Sequence, residues 1–370
     1  MHQKLYALNH APINFYFSQN PRDFMVREIP LYDFSHTGEH HILNIRKKGL
    51  NTQEVIKILS SLLGCKAHDI GYAGLKDKSA TTTQYFSINK KFTTKLDSHL
   101  SHLESQGIKI LSQTYHDNKI KLGHLKGNSF FIRLKKVNPT MAVQMTQAIE
   151  NIKSQGLPNY FGYQRFGKYQ DNHLEGKKII DKQAKYRNKT LQEFLISSYQ
   201  SHLFNQWLSF RIQISKIFAH FNPQEIKEAL QMQNIFWDKN LIESIRAQKH
   251  FFKILRGDVL GHYPFGKLFC TDLQAHDLER FDTRLLSPTG LLYGKKSFES
   301  THEARELEER FVDSAIVANG ARRYAWVWPE SVEYRYLEQE CWLELEFSLP
   351  KGSYATIFIE EIAHQNICVD

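Results

Sequence analysis

Residues 71–88 read Gly-Tyr-Ala-Gly-Leu-Lys-Asp-Lys-Ser-Ala-Thr-Thr-Thr-Gln-Tyr-Phe-Ser-Ile and place one carboxylate, Asp77, between Lys76 and Lys78 at the mouth of a predicted strand. Gly71 and Gly74 permit backbone angles closed to other residues, whereas Tyr85, Phe86 and Ile88 are of the aromatic and β-branched kind that strands favour. A loop therefore presents Asp77 and a strand anchors it. A Lys-Asp-Lys triplet is most often a solvated turn, worth little to stability. Here the two ammonium groups favour the ionised carboxylate, the form that a nucleophile or base requires and a general acid does not. The same lysines suit the gripping of phosphate.

Upstream, Asn51 and Glu54 form an N-cap and N3 pair, Val55, Ile58, Leu59 and Leu62 follow at helical spacing, and Gly64 closes the C-terminus. Downstream, residues 128–136 alternate Phe130, Ile132 and Leu134 with Phe131, Arg133 and Lys135, which predicts a strand with one apolar face. Pro139 opens a helix that carries Met145, Ile149 and Ile152 and ends near Gly156. A long helix is predicted from Thr190, capped with Glu193, to about Ser215, and a charged helix over Glu303 to Asp313. Residues 258–294 read as irregular, with a short turn at Ser287-Pro-Thr-Gly290. Residues 342–349 alternate as a half-buried strand, and Tyr354 to Glu360 reads as another. Residues 159–168, with four aromatics, an arginine and a lysine, fit a packed corner or an RNA-facing loop equally well. Strands and helices mix without βαβ alternation, so the class is α+β rather than doubly wound.

The composition fits a polyanionic partner. Lys plus Arg number 48 against 39 Asp plus Glu, a net charge of +9, and aromatics make up 13% of the chain, a pairing suited to basic grooves with stacking platforms for unpaired bases. With 370 residues the chain exceeds what one core usually supports, so two domains are expected. No run approaches the roughly 20 apolar residues that span a bilayer, and residues 1–15 lack a signal-peptide pattern. The expected setting is soluble and cytoplasmic. Cys65, Cys270, Cys341 and Cys368 lack metal-binding spacing and read as buried free thiols, and the histidines form no zinc motif. The P-loop, dinucleotide and serine-elbow signatures are missing too. A reaction without metal or cofactor is expected.

Several separated blocks together resemble the TruD family of pseudouridine synthases. Asn20-Pro21 with Asp23-Phe24, Val26 and Glu28 resembles the family's N-terminal motif, and Gly74-Leu75-Lys76-Asp77-Lys78 with Ala80, Thr82 and Gln84 its catalytic loop. Gly127-Asn128-Ser129-Phe130, Asn159-Tyr160-Phe161-Gly162, Gln164-Arg165-Phe166-Gly167 and residues 349–356 (Leu-Pro-Lys-Gly-Ser-Tyr-Ala-Thr) complete the series. The joint order is specific, whereas any one block alone is not. The resemblance implies a mixed, largely antiparallel catalytic sheet built from both chain ends, 1–156 with 307–370, interrupted by an inserted α/β TRUD domain, 157–306. It also implies a monomer.

The implied reaction is isomerisation of a uridine in tRNA, by family analogy uridine 13 of the D-arm, with Asp77 as nucleophile. Attack at ribose C1′, addition at C6 of the base and proton removal from the sugar all require an ionised carboxylate beside the nucleotide, and the residues do not choose among them. A stacked uridine hides its faces, so it must be flipped into a pocket. Phe24, Phe130 and Tyr354 match the family's pocket positions as base-stacking faces, and Asn128 offers an amide to the uracil edge or to Asp77. Lys76, Lys78 and Arg165 are candidates for backbone contact or support. Ser18 stands where relatives often carry a basic residue that pairs with the catalytic aspartate, which leaves its cationic partner unnamed. Ser79 and Tyr354 replace a common histidine and phenylalanine. Two other classes compete: a non-catalytic RNA-binding or RNA-chaperone protein, and a nucleosidase that releases the base.

Overall fold

A computed structural model describes residues 4–76, 78 and 80–367, which leaves Asp77, Ser79 and Cys368 outside the described residues. The chain divides into two compact units. One is built chiefly from Ile13–Gln147 and Pro329–Gly352, the other from the N-terminal segment through Pro12 with Ala148–Trp328 and Ser353–Asn366. These breaks differ from the 157–306 insertion expected from the sequence, because the N-terminal segment and the last helix pack with residues 148–328.

The first unit holds an eight-stranded sheet. Its strands run, from one edge, Glu330–Leu337, Trp342–Pro350, Leu125–Lys135, Phe24–Pro30, Thr81–Asn89, His40–Lys47 and Ile108–His116, with Gly71–Tyr72 beside Thr81–Asn89. Phe24–Pro30 and Thr81–Asn89 pair in parallel, and the other described pairings are antiparallel. The sheet is thus mixed, largely antiparallel and closed by a hairpin from the C-terminal part of the chain, so the α+β reading holds. Helix Thr52–Leu63 lies where the capping pair predicts it: Asn51 Oδ1 accepts from Glu54 N–H at 2.9 Å, Asn51 N–H donates to Glu54 Oε2 at 2.7 Å, and Gly64 ends the helix at φ 68°. Its Val55, Leu59 and Leu63 bury against Leu43, Ile45, Phe86 and Ile88 of the sheet. Each such side chain contributes on the order of 1.5–3 kcal/mol when fully buried.

In the second unit the helix Lys189–His220 runs longer than predicted, and its cap is Asn188, whose side chain accepts from Leu191 N–H at 3.1 Å. Thr190 therefore falls inside the helix. A four-stranded antiparallel sheet orders Ala321–Tyr324, Leu286–Leu292, Val259–His262 and Leu268–Cys270. The expected irregular stretch thus contains three strands and the helix Ala275–Asp282. Ser287–Gly290 is strand and not a turn, for two physical reasons. Residues 286–291 are buried on both faces, and a Cβ on Gly290 would stand 2.2 Å from the Trp207 ring, so this glycine serves close approach. The charged helix covers His302–Glu308 and passes into a 3₁₀ turn, Glu309–Phe311.

Residues 355–363 correct the sequence reading more sharply, because Ala355–Ala363 is a helix and not a strand. All nine residues are buried, which erases the one-sided pattern that separates helix from strand in an apolar run. Two of the nine are glutamates. Glu360 pairs with Lys4, and Glu361 Oε1 accepts from Leu8 N–H at 2.7 Å. Burial pushes the Glu361 carboxyl up from 4.5 to about 7, against the pull of the Leu8 and Ala7 amides and of Lys216 and Lys4. A raised folded-state value means that the folded chain binds the extra proton between these limits, so stability falls as pH rises from about 4.5 to about 7. At ~1.4 kcal/mol per unit the loss from this group is on the order of 3 kcal/mol. Glu361→Gln should flatten that pH dependence in urea unfolding and gain stability at pH 8; an unchanged pH profile would refute the assignment.

The thiols also depart from expectation: Cys65 and Cys270 are half-buried and Cys341 is exposed.

Candidate functional site

The sheet register decides which side chains share the face above which the Asp77 loop begins. Val26 pairs with Phe130 and Glu28 with Asn128, while Phe130 pairs on its other side with Phe347. Val26 aligns with Thr82, and Thr82 in turn with Lys47. Because facing pairs project together and successive residues alternate, one face carries Phe24, Phe130 and Phe347 beside a polar end made of Glu28, Asn128, Gln84 and Lys47. Phe24 and Phe130 lie with centroids 6.4 Å apart and planes at 19°, and Phe130 and Phe347 at 5.4 Å and 29°. Phe24 and Phe130 are both buried. Two of the three predicted stacking rings are thus neighbours in one aromatic row, and the third, Tyr354, belongs to the other unit.

The chain entering the loop is tied at Gly74 and at both backbone polar atoms of Lys76. Lys76 N–H donates to Thr52 Oγ1 at 2.8 Å, the Thr52 hydroxyl donates to Gln84 Oε1 at 3.1 Å, and Gln84 Nε2 donates to the Gly74 carbonyl. The Lys47 ammonium, fully buried, donates to the Leu50 carbonyl at 2.6 Å and to the Lys76 carbonyl at 3.4 Å. Past the loop, Thr81 Oγ1 donates to the Pro21 carbonyl at 2.9 Å, which ties the N-terminal Asn-Pro block to the strand that follows Asp77. Asp77 lies outside the described residues, but the backbone on both sides of it is held.

The two lysines beside Asp77 have different surroundings. The Lys76 side chain is 8% exposed; its ammonium donates to Asn128 Oδ1 and stands 3.5 Å from Glu28 Oε2. Lys78 is exposed at 62% and pairs with Glu54 at 3.3 Å. Burial pushes the Glu28 carboxyl above its usual range, opposed by the Lys76 charge and by a hydrogen bond from Tyr85 N–H. Among the described residues this cluster sets two buried ammonium groups, Lys47 and Lys76, against one buried carboxylate. It surrounds the start of the loop with the positive charge that an ionised aspartate requires.

Nearby, Asp23 binds Lys135 at 2.5 Å and Arg133 at 3.3 Å and also accepts from Asn20 Nδ2. Burial alone would raise its pKa, but those donors hold it below the usual carboxylate value. Asn20 Oδ1 accepts from the Arg22 and Asp23 amides at 2.9 and 3.0 Å. The Asn-Pro-x-Asp block is therefore a self-capped corner. Ser18 accepts from Asn20 at 3.5 Å.

Tyr354 and Arg165 belong to the other unit. The Arg165 guanidinium donates to Ser201 Oγ at 3.1 Å and to Ser197, with the Phe161 and Phe194 rings at 5.7 and 5.1 Å, and burial lowers its pKa. Tyr354 precedes the helix Ala355–Ala363, 6.2 Å from Phe161 centroid to centroid. Phe161 is clamped at both backbone atoms by Asn205, at 2.8 and 3.0 Å, and lies 4.0 Å beneath Arg323. Asn159, Tyr160 and Phe161 are buried. Of the two readings open for this stretch, its first three residues follow the packed corner.

Sequence reasoning gave no role to Lys47, Thr52 or Arg323. For Lys47 a signal existed: in the strand His40–Lys47 it shares parity with Leu43 and Ile45, hence their buried face. The flanking Arg46 and Lys48 disguised it as part of a solvated basic run. Thr52 and Arg323 gain their roles from partners remote in sequence, and no local pattern marks them.

Comparison with known proteins agrees with this architecture. The profile described as tRNA pseudouridine synthase D (TruD) matches residues 1–188 and 184–362. The chain is 51% identical to the tRNA pseudouridine synthase D of Helicobacter hepaticus over 99% of its own length and 97% of that protein. It is 50% identical to that of Sulfurimonas denitrificans, covering 98% of this chain and 99% of the relative. A crystal structure from Methanosarcina mazei, proposed as a tRNA pseudouridine synthase D, matches the fold with a TM-score of 0.66 at 20% identity, over 98% of this chain and 96% of the other. The blocks around Asp77, the sheet they assemble and these matches along the chain agree, and the protein belongs to the TruD family of pseudouridine synthases.

Proposed function

We propose that the protein isomerises a uridine of tRNA, at position 13 in the D-arm, to pseudouridine, with Asp77 as nucleophile. The N1–C1′ bond breaks, the uracil turns, C5 bonds to C1′, and the C5 proton is exchanged for one on N1. The product is an isomer, so the chemistry consumes no redox equivalent and transfers no group to a cofactor. The observation that carries the reading is the buried Lys47–Lys76–Glu28–Asn128 cluster, which fixes the backbone before Asp77 and sets positive charge there.

Phe24 and Phe130 supply an apolar, aromatic surface for the flipped base, and Asn128 orients the loop through Lys76 or meets the uracil edge. Lys78, being exposed, meets the phosphate backbone in this reading, while Lys76 holds the chain entering the loop through Glu28 and Asn128. Roles for Tyr354 and Arg165 in substrate binding rest on the family motif. The same reading treats 1–156 with 307–370 as the catalytic segments and 157–306 as the inserted TRUD domain, with the enzyme acting as a cytoplasmic monomer. Among the described residues no helix is long and apolar enough to cross a membrane.

The test is to incubate purified protein with an unmodified tRNA transcript, without added metal or nucleotide, and to map pseudouridine by chemical adduct formation and primer extension. One uridine, at position 13, should convert. Free uracil in the supernatant would indicate a nucleosidase, and binding without conversion would indicate a non-catalytic RNA-binding protein.

A further inference from the structure

The unit that contains residues 148–328 has a cleft of its own, about 720 Å³ in volume, none of whose lining residues comes from the Asp77 loop. That volume suits a nucleotide-sized ligand. Arg246 and Lys249 line it as exposed cations that form no ion pair among the described residues, and Phe251 adds a half-buried ring. Glu243 is the one carboxylate among the lining residues, and Lys239, one helical turn earlier, neutralises it at 3.7 Å.

The wall of the cleft is built rather than draped. Gln248 clamps Ile254 through both amide atoms, at 2.7 and 2.8 Å, across an irregular stretch. Between them the His250 imidazole is held by the Gln155 carbonyl and the Phe252 amide, both at 3.0 Å. Burial drops that imidazole to about 4, so it is neutral at physiological pH and carries its proton on Nε2, toward the carbonyl. Lys253 is 6% exposed, and its ammonium donates to the Gln248 and His250 carbonyls at 2.7 and 3.1 Å. No carboxylate among the described residues lies within ion-pair distance of it, and burial pulls its pKa down despite the more distant Asp282. A buried cation without a counter-ion is costly, and an anion in the cleft would offset that cost. Lys249 and Phe251 flank the buried His250 and line the cleft, Phe251 with one side of its ring toward Trp326 at 6.1 Å.

We propose that this cleft is a phosphodiester subsite that holds a second nucleotide of the RNA substrate, with Arg246 and Lys249 on the phosphate and Phe251 against the base. The ligand chemistry is that of RNA, and the inference rests in that respect on the function proposed above. It adds a site whose lining residues are separate from those assigned to the uridine being isomerised.

The test measures the affinity of unmodified tRNA by fluorescence anisotropy across a salt series, for the wild-type chain, Arg246→Ala/Lys249→Ala, Arg246→Lys/Lys249→Arg and Phe251→Ala. The double alanine variant should bind roughly 10- to 100-fold more weakly and lose roughly 0.7–0.9 of a unit of salt slope, the amount carried by one phosphate contact. The charge-conserving pair should keep the wild-type slope. Phe251→Ala should lose roughly tenfold in affinity with the slope unchanged, because stacking releases no counter-ion. Wild-type affinity and slope in the double alanine variant would overturn the subsite. Matched thermal unfolding of the exposed-residue variants excludes misfolding as the cause of a loss. Binding is read without turnover, so a wild-type chain that binds through these side chains but forms no pseudouridine refutes the reaction and leaves the subsite standing.

Discussion

Asp77→Asn and Asp77→Ala should each lower pseudouridine formation by roughly 10⁴-fold or more, since removal of a covalent nucleophile leaves only binding and positioning. Asparagine keeps the shape of the side chain and removes its charge, so this variant separates ionisation from packing. Both variants should bind unmodified tRNA with wild-type affinity and salt slope, because the phosphate contacts that carry affinity lie on other residues. Single-turnover conversion alongside equilibrium binding measures the two quantities. Wild-type conversion by Asp77→Ala would eliminate the nucleophile assignment, whatever the binding result.

The second large effect is expected at Lys76. Lys76→Met removes the ammonium between Glu28 and Asn128 and leaves a buried carboxylate without its ion-pair partner. Breaking a buried pair from one side costs about 3–5 kcal/mol, to be read as a shift in the urea midpoint at neutral pH. Burial already raises the Glu28 pKa, and loss of the Lys76 charge raises it further. A raised folded-state value favours the protonated carboxyl, so the deficit should shrink as pH falls toward the ordinary carboxylate range. Adding Glu28→Gln should recover most of the stability at neutral pH, because the buried charge is then gone. It should not recover activity, since one of the two ammonium groups at the start of the Asp77 loop is still missing. A double variant as active as wild type would show that Lys76 serves packing alone.

The sequence made the sheet legible where one face is buried and the other wet. Residues 128–136 and 342–349 alternate in sequence, and they lie in strands that pair with each other, Leu125–Lys135 and Trp342–Pro350. Helix Thr52–Leu63 was legible because its cap uses atoms three residues apart. Legibility failed where burial is two-sided. Ala355–Ala363 and Leu286–Leu292 are enclosed nearly all round, so neither shows a period, and Pro288 and Gly290 then read as a turn although packing against Trp207 decides the matter. In the candidate site, the motif blocks pointed to Asp77, Asn128 and Phe130. The network that holds the chain leading to Asp77 did not show, because Thr52, Gln84, Gly74 and Lys47 meet only after the sheet has assembled. Local charge patterns treat Lys76 and Lys78 alike, and only burial separates a supporting cation from a solvent-facing one.

The pairing of the N-terminal segment with the last helix has a consequence for biosynthesis. Leu8 donates to Glu361 across 353 residues of sequence, His10 contacts the Ile362 carbonyl, and His364 contacts that of Leu8. At a synthesis rate of about 5–20 residues per second, the start of the chain emerges from the ribosome many seconds before its partners exist. Its hydrogen bonds to residues 361–364 cannot form until that helix has been made, so the unit closes late in the synthesis of the chain.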